Sequence, residues 1–275
     1  MSEPTILDRI VAQRRLDIAE AKARVPESEL RARLATSPAA IDFLPRLRAA
    51  GPVALIAEVK RASPSKGDIA PGIDAAKQGR AYAEAGAAGI SVLTEPTWFK
   101  GTLDDMLAVR RAVEDMGGER PGILRKDFIV DPYQLLEAAV YGADAALLIV
   151  ASLDDATLKH LIHECQQLDM EPLVEVNNAD EAERAVAAGA ALIGINNRDL
   201  RSFTVDLSTT DRLAGIIPEH VLLAALSGIS TRADVERFEA AGAGAVLVGE
   251  SLMSAADPAA KVRELLGISE SKAGA

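Results

Sequence analysis

The feature that most constrains the fold is a joint that recurs four times along the chain. The joints are EAGAAG at 84–89, YGADA at 141–145, AAGAA at 187–191 and AAGAG at 240–244. In each joint a helical pattern ends at a glycine, which readily adopts the left-handed conformation that stops a helix. The apolar run that follows is typical of a parallel strand buried on both faces. The joints therefore predict repeated helix–strand units.

Eight apolar runs recur along the chain. They begin near residues 53, 89, 122, 145, 172, 191, 221 and 244. Successive gaps average about 27 residues, which fits one strand and one crossover helix. Eight such units predict an α/β fold, a (β/α)8 TIM barrel. The alternative is an open doubly wound sheet, but no glycine-rich dinucleotide fingerprint follows the first strand.

The two ends of the chain do not follow this repeat. Ile6, Ile10 and Ile18 lie near helical spacing within residues 5–23, and two further short helices are predicted. The second and third helices are predicted at 27–34 and 42–50. We therefore predict three segments: an N-terminal helical extension packed on the barrel, the barrel itself, and a frayed tail. Their predicted boundaries are 1–50, 51–268 and 269–275.

Charge and composition limit the partners. A net charge of −11 opposes binding to nucleic acid, and aromatic residues at 3% leave few platforms for stacking bases. A local cluster of Lys and Arg can still hold a small anion, because charges act within about 8–10 Å in physiological salt. We expect a small phosphorylated substrate as partner, and a monomer or a weak oligomer.

Membrane and metal partners are not expected either. No apolar run approaches the roughly 18 residues that span a bilayer, and the charged, periodic start predicts no signal peptide. Cys165 is the single cysteine, so there is neither an internal disulfide nor a cysteine-based metal cluster. His160 and His163 lack the spacing of a zinc motif. We expect a cytoplasmic protein without a metal or cofactor.

Several predicted strands end in a reactive side chain. These residues are Glu58 and Lys60, Lys126, Glu175, Asn196 and Ser227. Strand side chains alternate between faces, so Glu58 and Lys60 point the same way, whereas Arg125 and Lys126 point apart. Because strand ends build the active site of a barrel, these groups are expected to share one pocket. Carboxylates and ammonium groups together favour proton transfer.

Two loops have the composition of a phosphate site. Ser227-Gly228-Ile229 and Gly249-Glu250-Ser251 follow the seventh and eighth strands, where barrels of this class usually hold phosphate. Glycine lets backbone N–H groups approach an anion closely. Elsewhere, Asn197 is expected to make a turn, and Arg198 either pairs with Asp199 or reaches an anion. Trp98-Phe99 packs on the core edge or on an aromatic substrate.

Five motifs resemble one family closely, in its order and spacing: IAEVKRASPSKG, LRKDFIVDPYQ, LVEV, INNRDL and VGESLM. The family is indole-3-glycerol phosphate synthase of tryptophan biosynthesis, and the resemblance covers nearly all of the chain. It implies ring closure of 1-(2-carboxyphenylamino)-1-deoxyribulose 5-phosphate with loss of carbon dioxide and water, and no cofactor. A rival barrel enzyme is phosphoribosylanthranilate isomerase, whose reaction is usually assigned to a Cys/Asp pair on barrel strands. It is disfavoured because the only cysteine of this chain, Cys165, lies in a predicted helix.

The resemblance also implies roles for individual residues. Lys126 resembles the general acid, Lys60 a second acid, and Glu175 a base or electrostatic partner, while Glu58 and Asn196 resemble the residues that orient them. Substrate-binding and phosphate-binding positions are matched by Ser63, Phe99, Phe128, Arg198, Ser227, Gly228, Gly249, Glu250 and Ser251.

One position departs from the family pattern. The family usually has Glu before Ser-Gly-Ile, where this chain has Leu226. Leucine cannot hold or transfer a proton, so the resemblance implies impaired activity. The alternative is a phosphate-ligand-binding barrel with weak or no turnover.

Overall fold

The computed structural model describes residues 3–200 and 203–268, and within them eight parallel strands close into a barrel. Each strand pairs with its neighbours in sequence, and the first pairs with the last, so the predicted (β/α)8 barrel is confirmed and the open sheet is wrong. Each predicted start lies within one residue of an observed strand. The strands are β1 Ala54–Val59, β2 Gly89–Leu93, β3 Gly122–Lys126, β4 Ala145–Ile149, β5 Glu171–Val176, β6 Leu192–Asn196, β7 Leu222–Leu226 and β8 Ala245–Val248.

Helices surround this barrel. They are α1 Ile6–Arg24, α2 Glu27–Leu34, α3 Phe43–Arg48, α4 Ala75–Glu84, α5 Leu103–Ala112, α6 Pro132–Val140, α7 Asp155–Gln167, α8 Ala179–Ala187, α9 Ser208–Leu213, α10 Arg232–Ala240, α11 Glu250–Met253 and α12 Pro258–Leu266. Short 3-10 turns occupy Glu114–Glu119, Val150–Ser152 and Ala214–Ile216. A small antiparallel hairpin, Ala62–Ser63 with Gly67–Asp68, follows β1. The glycine of each predicted joint has a positive φ.

Alternation along the strands separates two cores. On β1, Ala54 and Ile56 belong to the cluster inside the barrel, whereas Leu55, Ala57 and Val59 pack outward with the helices. Successive strand residues point to opposite faces, so strands such as β1, β3 and β5 contribute to both clusters. The inward row of β1 ends at Glu58, which faces the mouth of the barrel. The interior is therefore apolar below and polar at its carboxyl-terminal end.

The N-terminal helices contact both ends of the barrel. Phe43 of α3 is buried at the amino-terminal end, where a Cβ at Gly122 would lie 2.2 Å from its Cδ2 atom. Leu7 and Ile10 of α1 join the cluster that contains Phe128 near the mouth. Helix α3 is shorter than the 42–50 predicted from the sequence, because the chain turns toward β1 after Arg48. The predicted tail, 269–275, lies outside the described residues.

A buried ion pair ties the same extension to the amino-terminal end of the barrel. Arg120, before β3, donates to both carboxylate oxygens of Asp144, before β4, at 2.6 and 2.7 Å. Asp144 also accepts the backbone N–H of Ile41, at 2.9 Å. Both side chains are almost fully buried. Among the helices of the described residues, none is both long and apolar enough to cross a membrane.

Candidate active site

A cavity of about 490 Å³ opens at the carboxyl ends of the strands. Every residue that the sequence singled out as catalytic, substrate-binding or phosphate-binding lines it. They are Glu58, Lys60, Ser63, Phe99, Lys126, Phe128, Glu175, Asn196, Arg198, Ser227, Gly228, Gly249, Glu250 and Ser251. The side chains come together because parallel barrel strands present their carboxyl ends at one rim. Their individual roles stay predictions.

Glu58 lies between two ammonium groups. Its Oε1 accepts a hydrogen bond from Lys60 Nζ at 2.7 Å, and its Oε2 lies 3.9 Å from Lys126 Nζ. Burial by itself raises the pKa of Glu58, but the charges of Lys60 and Lys126 and the Lys60 hydrogen bond outweigh it, and the pKa lies below its ordinary value. Glu58 is therefore ionised and anchors both lysines.

Glu175, in contrast, has few partners. Its Oε1 accepts from Asn196 Nδ2 at 2.9 Å, whereas its buried Oε2 has no hydrogen-bond partner among the described residues. Burial raises the pKa of Glu175, and the Lys126 charge and the Asn196 hydrogen bond only partly offset this rise. A carboxylate that holds a proton more readily than usual is suited to proton exchange.

Asn196 is itself fixed from two sides. Its Oδ1 accepts from the backbone N–H of Arg198 at 3.0 Å, and its backbone carbonyl accepts from Asn177 Nδ2 at 2.7 Å. Asn197 faces away from the cavity, where its amide contacts Leu226 and its Oδ1 accepts from Thr210. Asn197 therefore has the structural role that was expected of it.

The alternation predicted at the end of β3 is present. Lys126 lines the cavity, whereas Arg125 is 1% exposed and points outward, where it contacts Thr94, the Gln134 carbonyl and Glu137. Lys126 thus places its charge in the cavity, and Arg125 links the barrel to helix α6.

The two predicted phosphate loops meet at one side of the mouth. Ser227 and Gly228 both have positive φ angles, 67° and 82°. Ser251 Oγ donates to the Ile229 carbonyl at 2.9 Å, which joins the loop after β7 to the start of α11. Successive residues with positive φ turn the backbone sharply, and such turns can form concave sites for anions.

Gly249 allows a close approach between this loop and the charged cluster. A Cβ at position 249 would lie 2.2 Å from Glu58 Oε1 and 3.1 Å from Lys60 Nζ. Any side chain would displace these atoms. Glycine is therefore required here for contact rather than for its backbone angle.

Arg198 pairs across the mouth with a residue that its spacing could not indicate. Its Nη2 lies 3.3 Å from Glu250 Oε2, and Lys66 Nζ lies 3.2 Å from Glu250 Oε1. The sequence left open a pair with Asp199 or contact with an anion. The Glu250 carboxylate is one anionic group that Arg198 contacts, and its contact with an anionic ligand stays a prediction. Glu250 thus holds two cations at the mouth.

Aromatic and aliphatic side chains form the rest of the cavity wall. The rings of Phe99 and Phe128 are 6.0 Å apart with an interplanar angle of 40°. Trp98 and Phe99 both pack against the interior cluster, as expected of a core edge. Phe99 also lines the cavity, and its contact with an aromatic substrate stays a prediction. Sequence analysis missed Phe203 and Val205, because an isolated apolar residue in a loop carries no periodic signal.

Histidine and cysteine do not contribute to the cavity lining. His160 and His163 are exposed on α7, and Cys165 is buried on the same helix. In residues 3–200 and 203–268, no three His, Cys, Asp or Glu side chains cluster as a metal site requires. Cys165 lies on a helix rather than on a strand, which counts against the isomerase reading.

Comparison with known proteins decides the family. The family model described as indole-3-glycerol phosphate synthase matches residues 7–265. The chain belongs to the indole-3-glycerol phosphate synthase family. Enzymes of this family are carbon–carbon lyases. The match includes all five motifs on which the resemblance was based.

Individual relatives agree with this assignment. The chain is 48% identical over 266 residues to an indole-3-glycerol phosphate synthase of Roseiflexus sp. (strain RS-1), covering 96% of this chain and 98% of the relative. It is 54% identical over 274 residues to a multifunctional tryptophan biosynthesis protein of Schizosaccharomyces pombe, covering 98% of this chain and 36% of the relative. The chain thus spans about a third of the length of such multifunctional relatives.

A solved structure supports the fold alone. A crystal structure of 3-hexulose-6-phosphate synthase superimposes with a TM-score of 0.60 at 19% identity, covering 78% of this chain and 99% of that one. At this identity the likeness concerns the barrel and not its chemistry.

Proposed function

We propose that the protein is an indole-3-glycerol phosphate synthase. It converts 1-(2-carboxyphenylamino)-1-deoxyribulose 5-phosphate into indole-3-glycerol phosphate, carbon dioxide and water. The observation that carries this proposal is the placement of Lys126 in one cavity with Glu58 and Glu175, beside the loops that follow β7 and β8. Membership of the family supports the same reaction.

In the proposed ring closure, Lys126 acts as the general acid. The ring carbon that bears the substrate carboxylate attacks the ribulose carbonyl carbon, and Lys126 donates a proton to the carbonyl oxygen. The C–CO₂⁻ bond then breaks, and its electrons restore the aromatic ring. Lys60 supports this step as a second acid. Its Nζ donates to Glu58 Oε1 at 2.7 Å, which holds the ammonium at the wall of the cavity. Positioned acids and bases typically contribute about 10²–10⁴-fold each.

Loss of the hydroxyl as water completes the reaction: Lys60 donates a proton to the hydroxyl as the C–O bond breaks, and a proton leaves the neighbouring carbon to form the indole double bond. Glu175 serves as the base or as the electrostatic partner of the positive charge that develops on the ring nitrogen. Its raised pKa fits a group that exchanges a proton, and Asn196 orients it through the 2.9 Å hydrogen bond. The opposite pKa shifts of Glu58 and Glu175 support this division of tasks between the two carboxylates.

Substrate binding uses both the aromatic and the polar side chains that line the cavity. Phe99 and Phe128 pack against the anthranilate ring, while Ser63 and Arg198 contact polar groups of the substrate. The phosphate lies in the cradle formed by Ser227, Gly228, Gly249, Glu250 and Ser251. No nucleic acid, metal or cofactor takes part in the proposed reaction. A monomeric or weakly oligomeric state and a cytoplasmic location stay predictions.

The second candidate function is binding without efficient turnover. Leu226 is 2% exposed and lines the cavity where the family pattern has a glutamate. Its side chain packs over Gly194, where a Cβ would lie 2.7 Å from its Cδ1 atom. An apolar group there removes a proton acceptor from the late steps, so we propose activity that is real but impaired.

One assay separates the two functions. The purified full chain is titrated with the substrate while indole fluorescence and carbon dioxide release are followed, and binding is measured by calorimetry. Product formation with stoichiometric carbon dioxide supports the synthase. Substrate binding without product supports the binding barrel, and the absence of both overturns both functions.

A further inference from the structure

A buried ion pair joins helix α1 to the residue that follows β3. Arg14 donates to both oxygens of the Asp127 carboxylate, from Nε at 3.0 Å and from Nη2 at 2.9 Å. Arg14 is 6% exposed and Asp127 is 1% exposed. Bidentate pairs of this kind fix direction as well as distance. The extension is therefore tied rigidly to the end of a catalytic strand.

Asp127 lies between two residues of the cavity wall, Lys126 and Phe128. Its Oδ2 also accepts from Thr94 Oγ1 at 2.7 Å and from Arg125 at 3.0 Å, and its Oδ1 accepts the backbone N–H of Phe128 at 2.8 Å. Burial raises the pKa of Asp127, but the charges of Arg125 and Arg14 outweigh burial. The pKa therefore lies below its ordinary value, and the carboxylate stays ionised. The hydrogen bonds of the Asp127 carboxylate therefore fix the position of the backbone that carries Lys126.

The Lys126 ammonium is held less closely than the Lys60 ammonium. Its Nζ lies 3.9 Å from Glu58 Oε2, whereas Lys60 Nζ lies 2.7 Å from Glu58 Oε1, and the Lys126 charge also acts on Glu175. A side chain that is loosely held at its tip depends on its backbone for position. Displacement of about 1 Å can cost about 10²-fold in rate.

We propose that Arg14 is a positioning residue for Lys126, and that it acts through Asp127. This inference rests on the proposed synthase function. Loss of Arg14 leaves Arg125 and Thr94 on the Asp127 carboxylate, so the charge keeps partners and the barrel folds. The end of β3 then moves, and the proton donor moves with it, while the phosphate loops are untouched.

The chain offers a matched control. Arg120 and Asp144 form another bidentate, buried pair that also contacts the N-terminal extension, but at the amino-terminal end of the barrel. Breaking this pair destabilises the barrel without reaching the cavity. A purely structural role of Arg14 predicts the same effect for both substitutions.

The experiment compares Arg14→Met, Arg14→Lys and Arg120→Met with the wild type, at least about 15 °C below the lowest Tm. We expect Arg14→Met to lower kcat about 10–100-fold with KM within about 3-fold, because ground-state contacts are kept. Arg14→Lys recovers part of the loss, since one of two hydrogen bonds returns. Arg120→Met lowers Tm but leaves kcat within about 2-fold.

Hydrogen exchange provides a readout that does not need turnover. Amides of residues 126–130 are expected to lose protection in Arg14→Met and Arg14→Lys, and to keep it in Arg120→Met. Unchanged kcat in Arg14→Met, or equal kcat losses in Arg14→Met and Arg120→Met, overturns the inference. A wild type that binds substrate but makes no product overturns the proposed function instead, and the exchange data then decide whether Arg14 still orders the end of β3. If Arg14→Met does not fold, Arg14→Lys carries the same comparison.

Discussion

Glu58 and Glu175 line the same cavity, but their pKa values lie on opposite sides of the ordinary glutamate value. Both are buried, which raises the pKa of each. Glu58 has two lysines beside it, and these reverse the shift, whereas Glu175 has only the Lys126 charge and the Asn196 amide to offset its burial. This separation supports the proposed roles, which are a fixed charge for Glu58 and proton exchange for Glu175.

Asn196→Ala is expected to shift the acidic limb of the pH profile of kcat/KM to higher pH. The Asn196 hydrogen bond stabilises the ionised form of Glu175, so its removal raises the pKa of Glu175 further. The active, deprotonated form then appears only at higher pH. The measurement is kcat/KM from pH 4 to pH 9. Glu171→Gln, a change outside the cavity, serves as the control, and a limb that stays in place or moves down contradicts the assignment of Glu175.

Leu226→Glu is expected to raise kcat/KM by at least about tenfold, as gain of a positioned acid–base group does. Leu226 is in register with Asn196 on the neighbouring strand, so the new carboxylate reaches the cavity. Leu226→Gln has the same size without an ionisable proton and is expected to show no comparable gain. Steady-state kinetics distinguish the two variants. No gain, or a loss, in Leu226→Glu would show that the surrounding residues are arranged around leucine.

Gly249→Ala is expected to lower kcat/KM by about 10²-fold, because a methyl group at 2.2 Å from Glu58 Oε1 must displace the anchor of both lysines. Gly215→Ala is the control, since a Cβ at Gly215 meets nothing within 4 Å. Initial rates at low substrate concentration measure the effect. Equal rates for the two variants would mean that the position of Glu58 does not matter for catalysis.

Glu171→Gln is expected to stabilise the barrel at pH 8 by about 1–3 kcal/mol, and by less at pH 5. Burial raises the pKa of Glu171 from 4.5 to about 7, with a partial opposing effect of Arg48. The folded state thus binds a proton that the unfolded state releases, so stability falls as pH rises from about 4.5 to about 7. Glu171 Oε1 also lacks a hydrogen-bond partner among the described residues. Denaturant unfolding at both pH values tests this, and a larger gain at pH 5 than at pH 8 contradicts it.

Much of the barrel could be predicted because its determinants are local. Apolar runs and glycine joints identify the strands, and alternation within a strand separates Lys126 from Arg125. The ends of the strands then identify the cavity, because barrel topology brings them to one rim.

The pairings across the molecule could not be predicted in this way. Arg14 and Asp127 are 113 residues apart, and Arg198 and Glu250 are 52 apart. No periodicity connects such partners, since their contact depends on how helices and loops pack in three dimensions. The sequence also cannot show that Glu175 Oε2 lacks a hydrogen-bond partner among the described residues, because no motif marks an absent contact.

The most direct test of the central claim is the single-turnover rate of Lys126→Ala with saturating substrate, measured beside the wild type and with substrate affinity determined separately. We expect ring closure to slow by about 10²–10⁴-fold while substrate affinity changes little, because the ammonium of Lys126 donates the proton in that step. Product formation at the wild-type rate in Lys126→Ala would contradict it.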